Sequence, residues 1–219
     1  MTARRTLPSM ASVAHEADGA KLHAPSAERN AEPIAQALRE IAPSSGRALE
    51  LASGTGQHVV AFARAMPGLD WQPTEIDPAR RASIGAYVAE AELPNLSPAR
   101  TLDATAPGWG AAHGGQHLIV LVNLLHLITT PEAQTVVHEA AQALAPGGCL
   151  ALYGPFLRDG QATSEGDARF DASLRAQGHG IGYKDVAEVS DWLVTAGLIP
   201  SPQRDMPANN LLLIARRPA

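Results

Sequence analysis

Apolar and polar positions along the chain follow two alternating patterns, short continuous apolar runs and longer segments with an apolar residue every three or four positions. The continuous runs predict strands at 48–52, 70–76, 99–102, 117–125 and 149–153. The helical spacing predicts helices at 57–65, 78–92 and 131–144, after a first helix that begins at Ser26 and ends before Pro43. Strands that alternate with helices form βαβ units, so we expect a mostly parallel sheet with helices on both faces.

The C-terminal part follows a different pattern. A predicted helix at 185–196 ends at Gly197, and two β-like runs follow it, at 198–204 and 210–215. Consecutive strands with no helix between them form an antiparallel hairpin, which here would close one edge of the sheet. The sequence therefore predicts an α/β domain with a seven-stranded sheet over residues 25–219. Residues 1–24 show no sustained period and are predicted to form a flexible or ligand-ordered arm.

Composition and charge narrow the classes of function. A chain of 219 residues suits one well-buried domain, and a net charge of −5 disfavours nucleic acid as a partner. The sequence shows no signal-peptide pattern and no apolar segment of bilayer-spanning length. We therefore expect a cytoplasmic protein without membrane contact, either a monomer or a homodimer. Cys149 is the only cysteine and lies in an apolar run, which predicts a buried thiol.

Gly54 and Gly56 form the most informative turn, because they lie between a predicted strand and a predicted helix. Such a turn brings backbone N–H groups and a helix N-terminus to the edge of the sheet, where nucleotide-like ligands bind. The dinucleotide pattern G-x-G-x-x-G is broken at Val59, which weakens a nicotinamide site. The segment from Glu50 instead resembles the E/D-x-G-x-G-x-G signature of class I S-adenosylmethionine (SAM)-dependent methyltransferases, with Ala52 in place of the first glycine.

This resemblance implies roles for the residues of the segment. In class I methyltransferases the acid at the strand end helps to hold the methionyl amino group, and the loop backbone packs beside the cofactor. The cofactor residues that it implies in this chain are Glu50, Ala52, Ser53, Gly54, Thr55 and Gly56. The alternative is a βα turn that needs small residues only for its own geometry.

Two further acids follow the next two predicted strands. Glu75 lies about 20 residues after the glycines, where a carboxylate with two acceptor oxygens suits the two hydroxyls of a ribose. Asp77 competes for this role, but its place before Pro78 favours a helix N-cap. Asp103, with Ala104 beside it, ends the third predicted strand. In methyltransferases an acid there accepts a hydrogen bond from the adenine amine, and a simple turn residue is the alternative.

The fourth predicted strand ends in NLLH, from Asn123 to His126. This ending resembles the N-x-x-H segment of many small-molecule methyltransferases, which lines the sulfonium and the acceptor site. The resemblance implies that Asn123 and Leu124 lie at the cofactor and His126 at the substrate. Tyr153 and Phe156, at the end of the fifth strand, are expected at the same crevice. A strand-end cap and a partly exposed loop residue are the alternatives for Asn123 and His126.

Five segments point to a narrower family. They are PSAERN at 25–30, ASGTGQH at 52–58, WQP at 71–73, FDASLR at 170–175 and MPANNL at 206–211. Together they resemble a family of small methyltransferase-like proteins found in bacteria and animals, over nearly the whole chain. The resemblance implies a Rossmann-like class I fold and a SAM site, and it brings no established substrate with it.

The narrower resemblance also implies polar residues outside the shared cofactor signature. The implied cofactor residues are Arg29, Asn30 and His58, and the implied substrate residues are Phe170, Arg175, Asn209 and Asn210. The forked guanidinium of Arg29 suits the carboxylate of a cofactor. The segment around Phe170 resembles a substrate lid. A capping cluster near residue 28 and a capped hairpin near residue 209 are the alternatives.

These observations together predict a SAM-dependent methyltransferase that transfers a methyl group in line to N, O or S of a small polar acceptor and leaves S-adenosylhomocysteine (SAH). His126 or Tyr153 would act as the general base if the acceptor must lose a proton. No pair of clustered acids has metal-site spacing, so no metal is expected. Two alternatives stay open, an NAD(P)-dependent oxidoreductase on a similar fold and a non-catalytic SAM-binding interaction module.

Overall fold

Strands and helices alternate along the chain as predicted. The computed structural model describes residues 14–16, 19–178 and 180–219, so most of the predicted arm, 1–13 with 17 and 18, lies outside the described residues. The strands are β1 His15–Glu16, β2 Leu22–His23, β3 Gly46–Leu51, β4 Leu69–Pro73, β5 Gln116–Val122, β6 Leu144–Gly154, β7 Ile199–Pro200, β8 Arg204–Asp205 and β9 Leu211–Arg216. The α-helices are α1 Pro25–Arg39, α2 Gln57–Ala65, α3 Pro78–Ala91, α4 Trp109–Ala112, α5 Thr130–Ala143, α6 Glu165–Arg175 and α7 Val186–Thr195, and a 3₁₀ helix covers Leu125–Leu127.

Seven strands form one sheet in the order β4-β3-β5-β6-β9-β7, and β8 also pairs with β9. Strands β4, β3, β5 and β6 are parallel, whereas β9 is antiparallel to β6, β7 and β8. The predicted α/β sheet with a C-terminal antiparallel hairpin is therefore confirmed. The chain moves outward from β3 to β4 and then returns to β5 on the other side of β3. This reversal opens a crevice at the carboxyl ends of β3 and β5, where open α/β sheets bind ligands.

The two faces of the sheet are buried against different helices. On β5, Leu118 and Val120 pack in one cluster with α1 and α2, and Ile119 and Leu121 pack in another with α5 and α7. This alternation explains why the strand is apolar without interruption, because both of its faces are covered. Cys149 is a free thiol that is fully buried in the first cluster, as predicted.

The predicted third strand, 99–102, is reduced to isolated bridges. Thr74 pairs with Arg100, and Trp71 pairs with Leu96. Prolines at 94 and 98 interrupt this edge because proline removes the N–H group that a ladder needs. The sheet nevertheless has seven strands, since the predicted strand 198–204 is divided into β7 and β8, which both pair with β9.

Side-chain caps explain where several helices begin. Asp77 caps α3 and accepts hydrogen bonds from the backbone N–H groups of Ala79 and Arg80, at 2.9 and 3.0 Å, as predicted. Helix α1 begins one residue earlier than predicted, with Pro25 in its first turn and Ala24 as a cap that has no side-chain hydrogen bond.

Among the described helices, none combines the length and the apolar character that a membrane crossing requires.

The side chain of Asn95 joins α2 to the edge strand β4. Its Nδ2 donates to the carbonyl oxygens of Ala63 and Leu69, both at 3.0 Å. We expect Asn95→Ala to lower the free energy of unfolding by about 1–3 kcal/mol, because carbonyl groups at a partly buried site lose their donor. Urea unfolding followed by circular dichroism measures this, with Gln203→Ala at an exposed position as the control. Equal stability of the two variants would contradict the role of Asn95.

Candidate cofactor and acceptor site

A cavity of about 720 Å³ opens at the carboxyl ends of β3, β4, β5 and β6. Residues that follow each of these strands line it, as the crevice of the sheet requires. Most of the predicted site residues lie on its wall, namely Arg29, Glu50, Ala52, Ser53, Gly54, Thr55, His58, Glu75, Asp103, Ala104, Asn123, Leu124, His126, Phe170 and Asn210.

The other predicted residues lie behind this wall and support it. They are Asn30, Gly56, Tyr153, Phe156, Arg175 and Asn209. Asn30 Oδ1 lies 2.6 Å from His58 Nε2, and the Asn30 side chain also hydrogen-bonds the Tyr153 hydroxyl. Tyr153 is only 4% exposed, and Phe156 is buried in the core cluster that contains α5. The structure thus brings Asn30, His58 and Tyr153 into one polar network beside the cavity.

The glycine turn needs its small residues for two different reasons. Ala52, Gly54 and Gly56 all have positive φ angles, 50°, 60° and 98°. A Cβ atom on Gly56 would lie 2.9 Å from the Cα of Ile84, so this position admits no side chain. At Gly54 the backbone conformation is the reason. Ala52 adopts the left-handed region at a cost on the order of 1 kcal/mol, at the position where the methyltransferase signature has a glycine.

Glu50 is a buried carboxyl group at the end of β3, only 1% exposed, and it lines the cavity. Burial raises its pKa to about 8, the hydrogen bond with Ser53 lowers it, and the charge of Glu75 raises it further. Among the described residues, none hydrogen-bonds its Oε2 atom. A buried polar atom without a partner is costly, and a cation with N–H donors would remove that cost.

Glu75 joins the turns after β3 and β4. Its Oε2 accepts a hydrogen bond from the backbone N–H of Gly54 at 3.0 Å, and its Oε1 accepts from those of Ile76 and Asp77 at 2.8 and 3.0 Å. The carboxylate is therefore held in one position at the wall of the cavity by three main-chain N–H donors.

Asp103 lies at the same end of the cavity. Its Oδ1 accepts hydrogen bonds from the backbone N–H and the hydroxyl of Thr105, at 2.9 and 2.6 Å. The indole N–H of Trp109 donates to the carbonyl oxygen of Ala104 at 3.0 Å and holds the following residue. Both bonds of the turn use Oδ1, so they leave the Oδ2 atom of Asp103 for a ligand.

Three rings meet at the other end of the cavity, those of His126, Phe170 and Tyr183. Their centroids are 5.9 to 6.2 Å apart in edge-to-face arrangements. His126 is 5% exposed, and burial, followed by the charge of Lys184, lowers its pKa to about 3. The imidazole is therefore neutral near pH 7 and accepts or donates hydrogen bonds without carrying charge.

Lys184 anchors the loop that carries Tyr183. Its Nζ donates to the carbonyl oxygens of Ile128, Gly180 and Gly182 at 2.8, 3.0 and 2.9 Å, and its side chain is almost fully buried. Burial lowers the pKa of this amine to about 8, the charge of Arg175 lowers it further, and nearby carboxylates raise it. This cluster of bonds joins the loop after α6 to the segment after β5.

Arg175 and Asn209 support this end of the cavity from outside. Arg175 Nε donates to Asp171 Oδ2 at 2.7 Å, and its Nη2 donates to the carbonyl oxygen of Tyr183 at 3.1 Å. Asn209 Nδ2 donates to Asp167 Oδ2 at 2.9 Å. Both side chains therefore position residues that line the cavity.

The described part of the N-terminal segment packs beside the end of the cavity that contains the glycine turn. The backbone N–H of Ala24 donates to Gln57 Oε1 at 2.7 Å, and that of Leu22 donates to Ser83 Oγ at 2.8 Å. Lys21 pairs with Glu90 on α3, and His15 lies on the wall of the cavity. These contacts place the segment over α2 and α3.

Sequence reasoning missed several residues of this site. Asp167, Tyr183, Arg80 and His15 line the cavity, and Lys184 supports it. Asp167 was detectable, because the polar and apolar residues at 167, 170, 171 and 174 share one face of a helix. No sequence pattern around Tyr183 marks it as a site residue, since only the loop after α6 brings it to the cavity.

The fold is similar to that of solved methyltransferases. An O-methyltransferase family protein from Burkholderia thailandensis matches with a TM-score of 0.76 at 20% identity, over 88% of this chain and 57% of that one. An O-methyltransferase family 2 protein from Planctomyces limnophilus, in complex with apigenin, matches with a TM-score of 0.72 at 18% identity, over 88% of this chain and 60% of that one. Human N-acetylserotonin methyltransferase, in complex with SAM, matches with a TM-score of 0.73 at 14% identity, over 89% of this chain and 53% of that one.

These similarities establish the fold. The predicted Rossmann-like methyltransferase fold is confirmed, while the chain spans only 53 to 60% of the length of these three structures.

A family model matches almost the whole chain. Its description is "Protein of unknown function (DUF938)", and it matches residues 21–217. The matched range contains the glycine turn, the three strand-end acids and all residues of the aromatic end of the cavity. The chain belongs to this family, DUF938.

Proposed function

We propose that the protein is a SAM-dependent methyltransferase that acts on a small polar acceptor and releases SAH. The observation that carries the proposal is the buried Oε2 atom of Glu50, which lines the cavity and has no hydrogen-bond partner among the described residues. The ammonium group of the methionyl part of SAM supplies both the positive charge and the N–H donors that this atom needs.

Other residues of the cavity fit the remaining parts of SAM. Glu75 would hold the ribose hydroxyls, and Asp103 would accept from the adenine amine through Oδ2. Arg29, exposed at the rim, would pair with the carboxylate. SAM supplies an activated methyl group that is transferred in line to a nucleophilic atom.

The residues of the chain orient the acceptor and exclude water. His126 is neutral at pH 7 and would accept a hydrogen bond from an N–H or O–H group of the acceptor. Tyr153 remains protonated, because burial raises its pKa, while the hydrogen bond from Asn30 lowers it. We assign Tyr153 to the support of Asn30 and His58. The proposal also includes that the acceptor is a small polar molecule and that the protein is cytoplasmic.

We expect wild-type protein to bind SAM and Glu50→Gln to bind it about tenfold to a hundredfold more weakly, because a hydrogen bond between charged groups is lost. Isothermal titration calorimetry measures both affinities. Glu165→Gln is the matched control, since its side chain is 95% exposed and the substitution removes the same charge.

The outcomes of this titration separate the alternatives. Equal SAM affinity in the two variants would remove Glu50 from the site. Heat with NAD but not with SAM would favour an oxidoreductase. SAM binding without methyl transfer to any metabolite would favour a non-catalytic binding module.

The raised pKa of Glu50 makes a separate prediction about stability without SAM. Its pKa is about 8 in the folded protein and 4.5 in the unfolded chain, so the folded state holds a proton that the unfolded chain releases between these values. The contribution of Glu50 to stability is therefore complete below pH 4.5 and is lost as the pH rises to about 8.

We expect Glu50→Gln to become progressively more stable relative to wild type as the pH rises from 5 to 8, because glutamine does not ionise. Urea unfolding at pH 5, 6.5 and 8 measures the difference, and Glu165→Gln should show none of this trend. A constant difference across the three pH values would mean that Glu50 is ionised in the folded protein.

A further inference from the structure

Asp167 is a carboxylate at the aromatic end of the cavity, and among the described residues all of its hydrogen-bond donors are neutral. Its Oδ2 accepts from the Ser164 hydroxyl at 2.6 Å and from Asn209 Nδ2 at 2.9 Å. Its Oδ1 accepts a long hydrogen bond, 3.5 Å, from the Tyr183 hydroxyl. A carboxylate offers about four acceptor positions, so Oδ1 keeps capacity for a ligand in the cavity.

Helix capping explains only part of this arrangement. Ser164 is the N-cap of α6, and its hydroxyl accepts from the backbone N–H of Asp167 at 3.2 Å. Asn209 and Tyr183, however, approach the same carboxylate from two other segments of the chain. Three segments therefore fix the carboxylate in one orientation, and a capping role would need only one of them.

The charge of Asp167 has no counterion in the part of the chain that the structure describes. The next acid on the helix differs, since Asp171 forms an ion pair with Arg175 at 2.7 Å. A partly buried carboxylate with neutral donors alone leaves a negative potential at the cavity wall. A cation bound in the cavity would neutralise this potential.

The surrounding rings suit a cationic group. Tyr183 stays protonated, because burial and then the charges of Asp167 and Asp171 raise its pKa well above its usual value. His126 is neutral at pH 7, so it does not repel a cation. Phe170 and Tyr183 add aromatic surfaces, which attract ammonium groups within about 6 Å.

We propose that the methyl acceptor is a cationic amine whose ammonium group binds Asp167, with the rings of Phe170 and Tyr183 beside its substituents. This inference rests on the proposed methyltransferase function and names the class of acceptor. The carboxylate of Asp167 holds the amine in place, and the neutral His126 accepts a second N–H bond.

The proposed methyl transfer is an N-methylation in which atoms and charges balance. An ammonium nitrogen has no lone pair, so one proton passes to water before reaction. The nitrogen then forms a bond to the methyl carbon while the bond from that carbon to sulfur breaks, and the electron pair of the broken bond remains on sulfur. The products are SAH, a methylated ammonium and the released proton.

Metabolites fractionated by their net charge test the class of acceptor. A metabolite extract is divided by ion exchange into cationic, neutral and anionic fractions, and each fraction is incubated with the protein and methyl-labelled SAM. We expect the label in the cationic fraction, with the product identified by mass spectrometry as an N-methylated amine. Label only in the neutral or anionic fraction would overturn the amine assignment and leave the methyltransferase proposal intact. Label in no fraction would overturn both.

Two variants with the same change of charge test Asp167. With the amine acceptor found in this way, Asp167→Asn should raise KM about tenfold or more, because a charge-assisted hydrogen bond is lost. Glu165→Gln, on the exposed face of the same helix, should leave KM unchanged. Unchanged SAM affinity in Asp167→Asn shows that the variant is folded, and an unchanged KM in that variant would overturn the role of Asp167.

Discussion

The hydrogen bonds that join the turns after β3 and β4 are the constraint on which the rest of the site depends. Glu75 accepts from the backbone N–H of Gly54, and Thr74 donates through both its backbone N–H and its hydroxyl to the carbonyl oxygen of Glu50. Ser53 completes the set by donating its backbone N–H to the carbonyl oxygen of Thr74 at 2.8 Å. These bonds fix the positions of two carboxyl groups, and they keep Glu50 buried although its Oε2 lacks a partner. The fold thus holds a costly group in place, as binding sites commonly do.

The two ends of the cavity are built differently. The end that contains the glycine turn follows directly from strand ends, so its geometry is that of the sheet. The aromatic end depends on α6 and on the loop after it. Lys184 and the pair of Asp171 and Arg175 hold this loop in place, Lys184 by its bond to the segment after β5. A sheet edge of this kind occurs in many α/β proteins, whereas the second arrangement belongs to this chain's own connections. Specificity for the acceptor should therefore reside in the second arrangement.

This difference also explains what the sequence could predict. Strand periodicity located β3, β4 and β5, and the acids Glu50, Glu75 and Asp103 followed from their position after apolar runs. The strand at 99–102 failed to extend because prolines at 94 and 98 interrupt the edge, and these are visible in the sequence. Two other outcomes depended on tertiary contacts. Tyr183 reaches the cavity only through a loop, and the Arg175 side chain turns towards Asp171. Local patterns carry no information on such long-range approaches.

Under the proposed function, a cationic cofactor and a cationic acceptor would share the cavity, and the charges along its wall are compatible with both. SAM carries a sulfonium, so a second cation nearby would be repelled if the walls were neutral. The wall carries acids at both ends instead, with Glu50 and Glu75 at one end and Asp167 at the other, and burial keeps His126 uncharged at the end that contains Asp167. Under the proposed function, the methionyl ammonium of SAM would pair with Glu50 and the ammonium of the acceptor with Asp167. In the proposed reaction the amine needs only to lose one proton to water before transfer. A neutral His126 that orients the N–H group would therefore be sufficient, and no strong base would be required.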